Sequence, residues 1–308
     1  MDISIVIPAY NEEKNISPLY NELKPIVNRI SEKHEIIFID DGSTDKTFDE
    51  LMKIKKRDPK VKIIKFRKNF GQTAALDAGF KNAQGKVIIA MDADLQNDPA
   101  DIPMLLEKMK EGYDVVSGWR HKRKDSISKK LFSRIANICR RMLTGENIHD
   151  SGCTLKAYKK ECFENLDLYG EMHRYIPALL MWKGFKIGEL KVNHRQRKFG
   201  KTKYSITRII KGALDLLVVL FWQKYSTRPI HLFGGLGLLI GFTGFIIAFM
   251  MTIQRLFLNV SIGNRPLLLL AILLMIVGIL FILFGLIADI LVKIYYKEHS
   301  NYNIKEVY

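Results

Sequence analysis

Two long apolar runs late in the chain constrain it more than any other feature. Ile230 to Ile253 reads IHLFGGLGLLIGFTGFIIAFMMTI and holds no Asp, Glu, Lys or Arg. At about 1.5 Å per residue, such a helix covers the roughly 30 Å hydrocarbon core of a bilayer. Leu267 to Ala288 repeats the pattern. Core helices of soluble proteins are normally shorter and carry a polar face. The connector between the runs is short, so they predict a transmembrane hairpin with both flanks on one side of the membrane. This divides the chain into an α/β domain over 1–204, a juxtamembrane amphipathic helix over 205–228, two spans within 229–293 (230–253 and 267–290) and a tail over 294–308.

The charge pattern orients the hairpin. Ahead of the first run stand Arg195, Arg197, Lys198, Lys201, Lys203, Arg208, Lys211, Lys224 and Arg228, with Asp215 the single acid among them. Lys293 and Lys297 follow the second run, while the connector carries only Arg255 and Arg265. By the positive-inside rule the large domain and both termini are cytoplasmic. The opening MDISIVIPAY has neither a basic region nor an apolar stretch of export length, so no signal for secretion of the large domain is expected. The formal net charge of +16 comes without a nucleic-acid-binding motif and fits an anionic membrane surface and an anionic substrate. Cys139, Cys153 and Cys162 lack C-x-x-C spacing, which argues against a disulfide framework or a zinc site and for reduced, structural thiols.

The first part of the chain alternates. Ile3–Ile7 reads as a buried strand ended by Pro8, Ile16–Ile30 as a helix and Glu35–Ile39 as a second buried strand. A helix around Thr47–Lys56, a strand at Val61–Phe66, a helix near Thr73–Ala83 and a strand at Val87–Met91 continue the pattern. Alternation at this spacing predicts a doubly wound, mostly parallel sheet, whose ligands sit beyond the carboxyl ends of the strands. Those ends are polar each time: Tyr10-Asn11-Glu12, Asp40-Asp41-Gly42-Ser43, and Asp92-Ala93-Asp94-Leu95-Gln96. Singly, each is ordinary turn and capping chemistry. Their recurrence after successive strands points to a site. Asp92 and Asp94, two residues apart on a turn, can offer oxygens to one hard cation bridging a diphosphate, and Mg²⁺ or Mn²⁺ suits such ligands better than zinc.

The segments IPAYNEEKN, IDDGSTDKT, MDADLQNDP and FGKTKY, in this order and spacing, resemble the family-two inverting glycosyltransferases, in particular the dolichol- or polyprenyl-phosphate hexose synthases. The resemblance covers the chain to about Tyr204. It implies a nucleotide-diphosphosugar transferase (GT-A-like) fold. It also implies that Pro8, Tyr10, Asn11, Glu12, Phe38, Asp40 and Gln72 surround the nucleotide-sugar, and that Asp92 and Asp94, helped by Gln96, hold Mg²⁺ or Mn²⁺ on its diphosphate. Arg120 matches an arginine directed at donor or acceptor phosphate. Arg197 and Lys203 match a basic R-x-x-G-x-[ST]-K loop that closes over the diphosphate. Asp150 aligns with an acidic residue near the acceptor, with Glu171 as an alternative, and either can equally be a structural cap.

The segment Ser126–Leu143 places Ile127, Leu131, Ile135, Ile138 and Met142 on one helical stripe with basic residues mostly off it, as interfacial helices do. A solvated basic face packed on the sheet is the competing reading. Arg134 there is the candidate for gripping the acceptor phosphate. A phosphate monoester dianion is already nucleophilic near neutral pH, so the implied transfer to dolichyl or polyprenyl phosphate needs positioning and charge stabilisation more than a strong base. The Gln-x-x-Arg-Trp motif of processive polysaccharide synthases is missing from the sequence. A catalytically silent membrane scaffold would not need the complete acidic and basic motifs. Gly234, Gly237, Gly241 and Gly244 predict close helix approach in the first span, and with it a homo-oligomer as one outcome. His173 and His194 are expected to serve packing or hydrogen bonding.

Overall fold

The computed structural model describes residues 1–121, 144, 145, 147–164, 166–168, 170–196, 221, 225, 228–258 and 266–298. The chain forms two compact units, Met1–Leu220 and Phe221–Tyr308. Among the described residues, the first unit carries seven strands: β1 Ile3–Ala9, β2 His34–Asp40, β3 Val61–Lys65, β4 Val87–Ala90, β5 Val115–Trp119, β6 Lys156–Lys159 and β7 Ile187–Lys191. Its helices are α1 Glu13–Ile30, α2 Thr47–Arg57, α3 Gln72–Asn82, α4 Ile102–Lys110 and α5 Ile176–Trp182.

The strands form one sheet in the order β3-β2-β1-β4-β6-β5-β7. All pairings are parallel except those of β6, which runs antiparallel to both β4 and β5. Period-2 alternation sorts the strand residues onto two faces. Ile3, Ile5, Ile7, Ile36 and Phe38 join Ile16, Leu19 and Leu23 of α1 on one face. Val6, Ile37 and Ile39 join Leu76 and Phe80 of α3 and Leu180 of α5 on the other. Each fully buried Ile or Leu contributes about 1.5–3 kcal/mol, which explains why strands covered on both faces read as continuous apolar runs.

β1 runs through Pro8 to Ala9, two residues beyond the expected end. Met91 N–H donates to Val6 O and Asp41 N–H to Ala9 O, so even-numbered residues of β1 turn their backbone towards β4 and odd-numbered ones towards β2. The β4 ladder ends at Val6–Ala90. Pro8, which has no N–H to donate, therefore falls where no partner strand needs one.

The second unit contains α6 Ile230–Leu258 and α7 Pro266–Glu298, both long and apolar enough to cross a membrane. Leu238, Phe242, Leu269 and Leu291 are each more than 60% exposed, an apolar outer surface suited to lipid rather than water. The two helices touch through glycines. A Cβ on Gly237 would lie 2.6 Å from Gly278 O, and one on Gly278 would lie 2.6 Å from Gly237 O. Gly237 and Gly244 of the first span are thus engaged within the hairpin, the latter with a Cβ position 2.6 Å from Ala271 O. Asp289 of α7 accepts a 3.3 Å hydrogen bond from Ile230 N–H and so caps the start of α6.

Candidate active site

β1 lies between β2 and β4, so the chain reverses its direction of growth at β1, and ligands of open α/β sheets bind outside the carboxyl ends of the strands at such a point. The loops after β1 and β2 are stitched together there. Asn11, in the left-handed region at φ 55°, donates its N–H to Ser43 Oγ at 3.0 Å, and its side chain accepts from Thr44 N–H at 2.8 Å. Glu12 N–H reaches Thr47 Oγ1 at 2.8 Å. Pro8 and Tyr10 are half-buried at the same end. Phe38 lies wholly in the core, in the cluster that packs on α1, so its ring has no open face.

Asp40 ends β2 and is fully buried. Its Oδ1 accepts from Ser43 N–H at 3.0 Å, while its Oδ2 has no hydrogen-bond partner among the described residues. A buried carboxylate oxygen without a donor is costly, and an N–H on a ligand would satisfy it. Its neighbour Asp41 turns the other way and gathers the loop after β3, accepting from Asn69 Nδ2, Phe70 N–H and Gly71 N–H at 3.0, 2.7 and 3.0 Å. Gly42 makes this closure possible. Its φ is +67°, and a Cβ there would sit 2.4 Å from the Lys68 carbonyl carbon.

Beyond β4, Asp92 is held on both oxygens, by Gln72 Nε2 at 2.8 Å on Oδ1 and by Thr154 Oγ1 on Oδ2. Its N–H donates to Asn97 Oδ1 at 3.0 Å. Asp94, buried, accepts from Gln96 N–H at 3.1 Å, and the turn passes through Leu95 at φ 62°. Burial and the nearby Asp94 charge push the Asp92 carboxyl up to about 6, against the opposing pull of Thr154, Arg120 and Lys156. Two carboxylates are thus held close with negative charge in excess, the condition that a divalent cation relieves. The donors are all oxygen, which suits Mg²⁺ or Mn²⁺, and no group of three His, Cys, Asp or Glu completes a cage among the described residues. Such ions commonly take one or two carboxylates and leave their other positions to phosphate and water. Gln96 donates its side-chain amide to Arg195 O at 3.4 Å, which ties the acidic turn to the segment that leads into the basic loop.

Arg120, just past β5, and Asp150 meet in a two-pronged pair: Nε to Oδ2 at 2.7 Å and Nη2 to Oδ1 at 2.9 Å. Burial would weaken the guanidinium's hold on its proton, but Asp150 more than compensates. Glu189 of β7 accepts from the His149 and Asp150 backbone N–H groups at 2.9 and 3.2 Å. The His149 ring stacks on Trp119 at 4.4 Å. Lys156, at the start of β6, is buried, and burial lowers its proton affinity.

On the far side of the acidic turn, Arg195 pairs with Asp98 at 2.7 Å and also with Glu22. Asn193 donates twice to Asp101, at 2.7 and 3.1 Å. Arg134, Arg197 and Lys203, together with the segments 126–143 and 205–220 and Cys139, lie outside the described residues. Cys153 and Cys162 are buried free thiols, raised by burial to about 11 and about 12. His173 Nδ1 lies 2.7 Å from Thr73 Oγ1, and Glu171 lies 3.4 Å from Arg174. Sequence reasoning did not single out Thr154, Lys156, Glu189 or the clasp formed by Asp41. Each acts through a partner at least 28 residues away or through backbone atoms, and neither leaves a local pattern.

Residues 4–167 match the family model described as glycosyl transferase family 2. The dodecaprenyl-phosphate galacturonate synthase of Rhizobium johnstonii is 36% identical over 315 residues, covering 100% of this chain and 93% of that protein. The undecaprenyl-phosphate 4-deoxy-4-formamido-L-arabinose transferase of Pectobacterium carotovorum is 36% identical over 297 residues, covering 96% and 89%. Among solved structures, the glucosyl-3-phosphoglycerate synthase of Mycobacterium tuberculosis in complex with Mn²⁺ and UDP-glucose superposes with a TM-score of 0.56 at 18% identity, over 72% of this chain and 78% of that one. At that identity the likeness concerns the fold alone.

Proposed function

Since the chain belongs to glycosyl transferase family 2, we propose that it moves a sugar from a nucleotide-diphosphosugar onto polyprenyl or dolichyl phosphate, with inversion at the anomeric carbon. The observation that carries this reading is similarity along the whole chain, apolar hairpin included, to two relatives whose names specify polyprenyl-phosphate acceptors. A hairpin able to sit in lipid gives the enzyme access to such an acceptor. The large domain over 1–204 is the catalytic part and faces the cytoplasm, by the basic residues that precede the first span.

The chain's own residues divide the work. The unsatisfied Oδ2 of Asp40 is an acceptor for an N–H on the nucleobase, and Pro8, Tyr10, Asn11 and Glu12 shape the adjoining wall. Asp92 and Asp94, with Gln96 beside them, would hold the divalent cation, and Gln72 and Thr154 orient Asp92. Bound there, Mg²⁺ or Mn²⁺ supplies positive charge to the departing diphosphate. Arg197 and Lys203 add to that charge. Arg120 offers its remaining donors to the incoming phosphate while Asp150 fixes its plane. Arg134 grips the same phosphate. Transfer then needs alignment of two anions, and the cations reduce their repulsion.

Purified full-length protein, presented with UDP- and GDP-sugars with or without polyprenyl phosphate, and with Mn²⁺, Mg²⁺ or EDTA, tests the reading. Release of nucleoside diphosphate that requires both lipid phosphate and metal is the expected result. Release independent of lipid, or growth of a polymer, would overturn the acceptor assignment.

A further inference from the structure

Lys156 is a buried cation that the transfer chemistry described above does not use. It is 3% exposed, and its backbone is fixed in register between Ala90 of β4 and Ser117 of β5. No carboxylate lies within ion-pairing distance of it among the described residues. Its ammonium donates instead to two backbone carbonyls, Ser151 O at 3.1 Å and Cys153 O. Asp92 and Asp150 act on it only through space, without a direct ion pair. Burying an ammonium so held is costly, and an apolar side chain of similar size would fill the space at less cost.

The location of those carbonyls supplies a reason for the charge. Both belong to the turn 150–153, and this turn together with Thr154, the residue that follows it, makes two contacts of the site. At one end Asp150 clamps Arg120, and at the other Thr154 donates to Asp92. The turn also packs tightly on the arginine, since a Cβ at Gly152 would come within 3.1 Å of Arg120 Nη2. The strand pairing of β6 sets the position of Lys156 on the sheet, and its two hydrogen bonds pass that position on to the turn.

We propose that Lys156 is a positioning residue of the transfer site, a buried ammonium that locks the 150–153 turn so that Arg120 and Asp92 are held in register with one another. The proposal rests on the reading of Asp92 and Arg120 as donor- and acceptor-side groups. Its structural half, the locking of the turn, does not depend on which substrates are used.

Lys156→Met and Lys156→Arg in the full-length protein separate charge from shape. Methionine nearly reproduces the lysine's volume without its donors, whereas arginine keeps the donors and charge in a larger side chain. Amide hydrogen exchange is measured over 148–156 and over the rest of the sheet, together with the unfolding midpoint and turnover. The expected result is that Lys156→Met speeds exchange at least tenfold over 148–156, leaves β1 and β2 protected, and lowers turnover at least tenfold, while Lys156→Arg recovers most of both. Should Lys156→Met fail to fold, Lys156→Gln, which keeps an NH₂ donor group but no charge, is measured instead and is expected to show the same changes at reduced size. Unchanged exchange in a folded neutral variant, or methionine outperforming arginine, overturns the proposal. If wild-type protein turns over no lipid phosphate, the proposed function fails, and the exchange measurement still decides whether Lys156 locks the turn.

Discussion

Arg120 and Asp150 form a two-pronged ion pair at 2.7 and 2.9 Å, with their side chains 15% and 6% exposed. Asp150 is therefore committed to orienting an arginine, and both its oxygens are occupied. A general base needs an oxygen directed at the acceptor proton, whereas a lipid phosphate dianion brings no proton that must be removed. Asp150→Ala strands a buried guanidinium, and the expected loss of stability is about 3–5 kcal/mol. Asp150→Asn is expected to reduce turnover while leaving the shape of the pH–rate profile intact. Disappearance of one limb of that profile would identify Asp150 as a base.

Asp92 offers a pH-dependent test of the proposed metal site. Burial and the neighbouring Asp94 charge push its carboxyl up to about 6, from an ordinary 3.8. A carboxyl raised by folding binds its proton more tightly in the folded state, so its contribution to stability is full below about 4 and declines as pH rises towards about 6. A cation that takes the proton's place reverses that decline. The gap in unfolding midpoint between Mn²⁺ and EDTA is therefore expected to widen from about pH 4.5 to about pH 7. Asp94→Asn should flatten it. A gap equally large at both ends of the range would show that the cation binds elsewhere.

Gly42 combines a φ of +67° with a Cβ position 2.4 Å from the Lys68 carbonyl carbon. Gly42→Ala forces the loops after β2 and β3 apart and is expected to cost about 1–3 kcal/mol from backbone strain, with the steric clash adding to this. The Asp41 clasp on Phe70 and Gly71 loosens with it, next to Asp40. A rise in donor KM larger than the fall in kcat is the expected kinetic result, and steady-state assays at varied donor concentration measure it.

Within the hairpin, Gly237 and Gly278 admit no side chain between them. Gly278→Val is expected to destabilise helix packing by about 1–3 kcal/mol through overpacking. Asp289→Ala, which removes the cap on Ile230 N–H, is expected to cost about 1 kcal/mol. Thermal unfolding in detergent, followed by far-UV circular dichroism, reads both. Equal midpoints for Gly278→Val and wild type would show that the helices are not packed through these glycines.

Much of the architecture was legible because it follows from local periodicity. Glu35–Ile39 reads as a buried strand from its apolar run, and every residue of β2 is buried; Ile230–Ile253 reads as a span since a charge-free helix of that length has few other places to go. The three polar strand ends follow from the same alternation, and they do lie on the adjacent strands β1, β2 and β4. Pro8 misled the placement of the end of β1, because the harmlessness of a missing N–H depends on where the neighbouring strand stops.

By itself, the sequence determined the α/β alternation, the hairpin and the polar turns at the strand ends, all of which are properties of residues close together along the chain. Only the tertiary structure decided which partner each polar group takes. Thr154 reaches Asp92 across 62 residues, and Asp150 reaches Arg120 across 30. Lys156 is inside because β6 enters between β4 and β5 in the antiparallel sense. Strand order and direction are set by the packing of the whole core, and a buried charge finds its hydrogen bonds only after that core has formed.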